Sequence, residues 1–472
     1  MSVLASLLTC TLGFAPEPSA ESQAAAEQAE PEQAEESEES DYAFHSPPPT
    51  TEPVPVHPRL RVFAGAQLMT RTEFIRTREL DGESTPQTVA PTRLRARLGA
   101  EAGDLKLLGE FQDARNLGDP LGGARMGFHQ LFGAYEVELA RAALRVSFGR
   151  QELADNTRHL FWSAPWGAGM RSFDAVTMKA SFARGGIELF AGSLARPLLS
   201  SPQRLSEHVS SSVNLTWQAR GWFEALEALH LDLYVSGAHI RNAGETRDIV
   251  TNGLYLHGKL YPGLSYLVDG RLQLGQIAVG RGVQQHLAGA VYGKLTYLTP
   301  EGLGAEHKLR LGGTVGLDFA SGNRCTTTEF SGFGSCTDGV NRDYYAPWMA
   351  RHAHFGRGDR FLSNNVIDQL VGLRLLHQAF DKLSLELDVF NHLFIFPEPG
   401  GRWQSISTAI IGVDPDNQNR WAADGVDIEA TLRYAWLRLD LGWHLVQSLA
   451  GGRAISGVSS WQRVYFELTA EF

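Results

Sequence analysis

From Arg59 to the C-terminus, apolar and polar side chains alternate residue by residue over stretches of about ten residues. Nowhere do they gather into the run of ~18 apolar residues that a membrane-crossing helix requires. Leu94, Ala96, Leu98 and Ala100 alternate with Arg93, Arg95, Arg97 and Glu101. Leu309, Leu311, Val315, Leu317 and Phe319 alternate with Lys308, Arg310, Thr314 and Asp318, and Leu437, Leu439, Leu441, Trp443 and Leu445 with Arg438, Asp440 and His444. A period of two puts one set on each face of a β-strand. Strands of soluble sandwiches usually stop near ~6 residues, whereas a tilted strand crossing a bilayer needs about ten. The polar face carries charges of both signs, which a packed core would not tolerate and a wet lumen does. The pattern predicts an all-β chain, a transmembrane antiparallel up-and-down β-barrel.

About eighteen segments begin near residues 59, 92, 104, 128, 143, 172, 185, 209, 228, 252, 263, 285, 306, 364, 381, 424, 436 and 460. With the N-terminus in the periplasm, even-to-odd links become periplasmic turns, and these are short around Gly103, Ala140-Arg141, Arg184, Tyr261-Pro262, Gln378-Ala379 and Ala435. The odd-to-even links include all the long ones, 153–171, 195–208, 320–363 and 393–423. Short periplasmic turns and long outer loops are the asymmetry of outer-membrane barrels. The weakest stretch is 209–230, where Trp217 to His230 reads as a strand end and turn or as a short helix; the second reading leaves sixteen strands. Trp217, Trp222, Tyr261, Tyr297, Tyr434, Trp436, Trp443 and Trp461 fall near strand ends, where an aromatic girdle belongs. The final segment alternates and closes on Phe472, the pattern that outer-membrane barrels present to the barrel-assembly machinery. Outer-membrane lipid and that machinery are the expected partners, in a Gram-negative bacterium.

The formal charge of −11 belongs to a tail rather than to the body. The chain before Arg59 holds eleven acidic and no basic residues, leaving 42 acidic against 42 basic in the rest. The body therefore has no net basic field, and nucleic acid is not an expected partner. Residues 16–58 are rich in Glu, Ala, Gln, Ser and Pro, a composition that predicts a disordered periplasmic linker. Residues 1–15 read as the remnant of a secretory signal peptide. Leu7-Leu8-Thr9-Cys10 is only a weak lipoprotein signal, since Thr precedes the cysteine and no basic residue precedes the apolar run. Residues 59–472 form the barrel. Its two cysteines, Cys325 and Cys336, lie close together in a Gly/Thr/Ser-rich stretch and are expected to close a disulfide.

No metal-ligand spacing, P-loop or G-x-S-x-G elbow occurs, so neither cofactor nor metal is expected and the chain does not read as an enzyme. His352 and His354 share a loop with Arg351, Arg357 and Arg360, a basic setting that disfavours a metal. His159 and Ser163 sit in no recognisable catalytic motif.

One stretch is more specific. Phe148-Gly149-Arg150-Gln151-Glu152 is followed by Arg158 and then by Gly169-Met170-Arg171-Ser172-Phe173-Asp174. It resembles the alginate export family of outer-membrane barrels, in which a strand ending Gly-Arg-Gln enters an Arg-bearing loop that returns through Arg-x-Phe-Asp. The segment Phe355-Gly356-Arg357-Gly358-Asp359 with Asn364 is similar to a long loop of that family. The resemblance covers about Arg59 to Phe472 and is strongest over 143–183. It implies an eighteen-stranded channel that passes an anionic polysaccharide through an arginine-lined constriction, with periplasmic polysaccharide-synthesis or export proteins as partners. Arg150, Arg158, Arg171 and Asp174 are then pore-lining candidates, with Arg150 and Arg171 facing across one loop and Asp174 orienting one of them; a salt-bridge cluster holding the loop is the other reading. Arg61, Arg93, Arg95 and Arg97 form the candidate anion-attracting wall, in a lumen of mixed charge. The alternatives are a general or small-solute porin, and a non-channel barrel serving as a surface scaffold or outer-membrane enzyme. Loops 153–171 and 321–363 are the candidate gate or plug.

Overall fold

The computed structural model describes residues 54–57 and 60–472 apart from 118–124, 156–157, 164–170, 196–213, 243–244, 280–281, 301–307, 325–338, 347–348, 350–354, 357–359, 362, 381 and 405–409. The chain forms one closed antiparallel barrel of eighteen strands. They are β1 (Leu60–Glu79), β2 (Ser84–Ala102), β3 (Leu105–Leu117), β4 (Arg125–Leu139), β5 (Ala142–Gln151), β6 (Phe173–Phe182), β7 (Gly185–Leu194), β8 (Asn214–Leu226) and β9 (Leu229–Asn242). The second half comprises β10 (Glu245–Tyr261), β11 (Leu264–Val279), β12 (Gly282–Leu298), β13 (Lys308–Ala320), β14 (Val366–Phe380), β15 (Leu383–Ile395), β16 (Trp421–Tyr434), β17 (Leu437–Ser448) and β18 (Val458–Glu471). Each strand pairs with its sequence neighbours, and β1 closes the ring on β18, with Arg71 opposite Glu467 and Ile75 opposite Arg463. Closure leaves no sheet edge within the hydrocarbon layer, which is what a bilayer demands of strands.

The alternation works out as the period-two argument requires. Leu94, Leu98, Leu107, Leu131, Phe148, Val176, Leu233, Leu272, Leu317, Leu373 and Phe466 are exposed on the outer face. Arg93, Arg95, Glu110, Asp269, Arg271, Asp318, Asp368, Asp427 and His444 are buried on the inner one. The segment near 209–230 is two strands, β8 and β9, joined at 227–228, and the count is eighteen. Gly103 (φ 60°) and Gly263 (φ 81°) supply the left-handed backbone at two of the tight lower turns. Two strands begin earlier than their alternation suggests, β2 at Ser84 rather than near 92 and β10 at Glu245 rather than near 252. Their outer ends are polar because they rise beyond the apolar belt, where water relaxes the pattern.

Three placements differ from the sequence reading. Val54–His57, expected inside the linker, is a strand whose Val54 pairs with Val62 of β1. The reason is an edge: β18 ends opposite Ala66, where Phe472 exchanges two backbone hydrogen bonds, so the lower turn of β1 lacks a partner on that side. Trp222 and Trp461, expected in the girdle, sit at inward positions, Trp222 opposite Asp232 and Trp461 fully buried. Tyr261, Tyr297, Tyr434 and Trp436 do stand exposed at the periplasmic ends.

Candidate functional site: a lumen crossed by two loops

The link between β5 and β6 folds inward. Asp155 organises its first half: its Oδ1 accepts from Leu160 N (3.2 Å) and Phe161 N (2.9 Å), and its carbonyl accepts from Arg158 N (3.1 Å). This tight turn forces Arg158 into left-handed backbone (φ 59°) and lays its guanidinium 4.2 Å from the Trp162 ring. Beyond the turn, Phe161 packs edge-on against Phe190 of β7, with ring centroids 5.0 Å apart. His159 Nε2 lies 2.9 Å from Asp318 Oδ2 on β13, seven strands round from β6. The loop therefore spans the bore.

The link between β13 and β14 meets it there. Tyr344, Met349, Phe355 and Phe361 are buried. Tyr345 N donates to Gln273 Oε1 on β11 (2.9 Å), and its ring lies 4.0 Å from the Arg247 guanidinium. Phe361 stacks on Phe394 (4.0 Å) and on Trp403 (4.9 Å), whose indole nitrogen donates to the Arg360 carbonyl (2.7 Å). Gly356 lies against Asp427 and His392 of the far wall. Arg171 joins the two loops, its N donating to Ser163 O (2.6 Å) and its Nη1 to Met349 O (3.4 Å). An apolar cluster thus fills the outer half of a lumen whose wall is polar.

At mid-wall the charges are matched. Arg93 donates to Gln67 Oε1 (3.1 Å), and Arg95 to Gln112 Oε1 (2.9 Å) while its Nη1 stands 3.2 Å from Glu110 and 3.6 Å from Glu152. Arg97 grips the other oxygen of Glu110 through Nε (3.1 Å) and Nη2 (2.8 Å). Glu110, His129 and Glu152 bring three donor atoms within 4.8 Å of one another, and the cation they face is the Arg95 guanidinium. Burial works against the Glu152 carboxylate, yet the His129 hydrogen bond and Arg95 hold it below the usual carboxylate range. On β14 to β17, Asp368, His392, Asp427 and His444 form a ribbon with successive separations of 2.7, 3.7 and 3.0 Å.

The sequence-predicted residues fall into three groups. Arg93, Arg95 and Arg97 face inward, but Arg95 and Arg97 are held by Glu110 and Arg93 by the Gln67 amide, so little of the expected anion-attracting wall is open to water. Arg61 is exposed at the periplasmic end, opposite Glu101. Arg158 and Arg171 hold the inward loops. Arg150 and Asp174 pair bidentately (2.8 and 3.0 Å), which is the predicted orienting contact, but on the other side of the wall. Arg150 is opposite Leu131 and Asp174, and Phe148 and Val176 on the same face are exposed to lipid. Parity is the physical reason: Arg150 lies two residues from Phe148. The pore-lining expectation for this pair is corrected accordingly, and Arg150 does not face Arg171 across the loop. In planar bilayers Arg150→Ala is expected to leave the reversal potential unchanged; a shift toward cation selectivity would return Arg150 to the pore. Cys325 and Cys336, and His352 and His354, lie outside the described residues.

Alternation along β3, β5 and β6 already turns Lys106, Arg145 and Lys179 inward, but nothing in the sequence signals that they line an open vestibule below these contacts. Near the periplasmic turns, inward-facing Arg145 and Lys179 are exposed and Lys106 is partly so. Lys106 and Arg145 share Glu136 (2.7 and 3.1 Å) yet retain 41% and 47% of their side-chain area, against 1% for Arg95. Arg433 and Arg438, flanking the turn at Ala435, stay a third open. The water-accessible cations, most of them in solvent-open ion pairs, collect at the periplasmic mouth, and the buried pairs lie above them.

The sequence family described as alginate export matches residues 61–435. Among solved structures, Pseudomonas aeruginosa OpdL is 11% identical, with 87% of this chain and 98% of that one covered and a TM-score of 0.49. Pseudomonas aeruginosa OccD3 (OpdP) is 11% identical, covering 87% and 91%, with a TM-score of 0.49. Pseudomonas aeruginosa OccK2 (OpdF), in complex with glucuronate, is 12% identical, covering 87% and 96%, with a TM-score of 0.48. No curated protein matches the chain.

Proposed function

Because this chain belongs to the alginate export family and is an outer-membrane β-barrel channel of a Gram-negative bacterium, we propose that it passes an anionic solute or polysaccharide, collected at its periplasmic mouth. The observation that carries this reading is the gradient of accessible cations. Lys179, which makes no ion pair among the described residues, and Lys106 and Arg145, which share Glu136, present charge to water, whereas the buried Arg93 and Arg95 do not. Exposed cations around a low-dielectric opening raise the local anion concentration, and several weak sites in series let an anion pass without trapping it. The loop contacts above would hold the channel narrow at rest. On this reading the wall does no catalysis. The acidic tail serves as a periplasmic spacer, the strand ending at Phe472 engages the assembly machinery, and polymer-synthesis proteins deliver substrate from below.

The test is the reversal potential of single channels under a salt gradient. Wild type is expected to favour anions, and the combined variant Lys106→Gln, Arg145→Gln, Lys179→Gln to lose most of that preference. Because surface charge is screened, the difference should shrink as ionic strength rises. Equal selectivity in both proteins at low salt would overturn the reading.

A further inference from the structure

A tryptophan on the water-filled face of a barrel gains nothing from lipid, and Trp222 is such a residue. It lies at an inward position of β8 five residues above the turn at 227–228 and is half-buried. Its register partner on β7 is Gly186, and a Cβ there would run into the indole carbons Cζ2 and Cη2 and into the Ala180 carbonyl oxygen. The missing side chain lets the indole lie across the neighbouring strand, supported on backbone, an arrangement in which glycine and ring make one flat surface.

Two cations flank this surface. Lys179 Nζ is 5.3 Å and Arg220 Cζ 5.1 Å from the ring centroid. Arg220 is held by Glu188 (2.8 Å). Lys179 is exposed and makes no ion pair among the described residues. The ensemble therefore combines a flat π-surface, a cation available to a ligand and a carboxylate able to accept hydroxyl hydrogens. A bare anion uses only the second of these.

We propose that Trp222, laid flat by Gly186 and flanked by Lys179, Arg220 and Glu188, is a stacking subsite for a pyranose ring bearing a carboxylate, at the periplasmic entrance of the channel. The inference deepens the proposed anion pathway and rests on it. The polarised C–H bonds of a pyranose face match the electron-rich indole face, while the carboxylate at the ring edge reaches Lys179, reinforced by Arg220. A sugar hydroxyl donates to Glu188.

The test uses the full chain in planar bilayers, with three probes on the periplasmic side: a (1→4)-linked tetrauronate, maltotetraose and tetraglutamate. The tetrauronate is expected to interrupt the current with the longest residence time. Trp222→Ala should shorten that time about fivefold to tenfold and leave tetraglutamate unaffected. Gly186→Ala, which displaces the indole without removing it and also presses on the Ala180 carbonyl, should act in the same direction, and Lys179→Ala should weaken both anionic probes. Heat-modifiable migration of each variant reports a closed barrel, and Trp222→Leu serves if Trp222→Ala does not close. Unchanged tetrauronate residence in Trp222→Ala or Trp222→Leu together with Gly186→Ala overturns the subsite and leaves the anion pathway standing. Equal residence of maltotetraose and tetrauronate overturns the carboxylate requirement. If neither anion interrupts or permeates the wild-type pore, the anion pathway fails and the subsite with it.

Discussion

Excising the loop between β13 and β14 is expected to raise single-channel conductance several-fold. Asn365 N donates to Ser321 O at 3.0 Å, so the two strands already meet where the loop leaves the wall, and a short turn can join them. What the excision removes is the apolar filling of the outer lumen: Tyr344, Met349, Phe355 and Phe361, each at most 3% exposed. It also frees the Gln273 amide on β11 from this loop and Arg171 from the contact that ties both loops together. An eighteen-stranded barrel without such filling encloses a wide aqueous bore. The excised protein should remain a heat-modifiable barrel, because every β13–β14 pairing, from Lys308–Gln378 to Ala320–Val366, is retained. A conductance equal to wild type in a verified barrel would mean that the loop does not obstruct the path. A milder version follows from the same packing: Phe361→Asp, which puts a charge between Phe394 and Trp403, should yield flickering openings of the larger size.

The second large effect is expected at Glu110. This carboxylate is fully buried and touches two guanidiniums, Arg95 at 3.2 Å and Arg97 at 2.8 Å. Glu110→Gln keeps the shape and removes the charge, leaving both cations short of a counter-ion. Removing one partner of a buried ion pair costs about 3 kcal/mol or more, since the survivor stays desolvated and unmatched. The urea midpoint of unfolding from detergent should fall accordingly, and the reversal potential should move toward stronger anion selectivity. Arg97→Gln in the same chain restores the balance, so the double variant should recover much of the loss. A double-mutant cycle measures that coupling directly, and strictly additive losses would show that Glu110 and Arg97 do not act as a pair. The two experiments probe different layers: the loop sets how wide the path is, and Glu110 sets how much positive charge the wall shows to a passing ion.

Much of this was readable from the chain. The strand number and the assignment of faces follow from local alternation, because each residue's neighbours two positions away share its side and the bilayer penalises any charge on the wrong one. Even the Arg97–Glu110 pair is implicit in the sequence. A two-residue turn at Gly103-Asp104 fixes the hairpin register and puts those residues opposite each other. Parity likewise places Arg150 beside Phe148 on the lipid side, a local signal that the motif resemblance obscured.

The remainder depends on residues far apart in the chain, and no local pattern encodes it. Glu152 reaches Arg95 because β5 and β2 curve round the same wall, His159 reaches Asp318 across the bore, and Arg171 finds Met349 between two loops. Trp222 meets Gly186 through a β7–β8 register set beyond a long connection. In each case the contact forms only after closure fixes which strands are neighbours and how far each has slid. The alternation determined a barrel with a lipid face and a charged lumen. Closure and the inward folding of two loops decided which of its cations are buried against carboxylates and amides and which stay open to water, because charge pairing depends on distance in space and the sequence orders only distance along the chain.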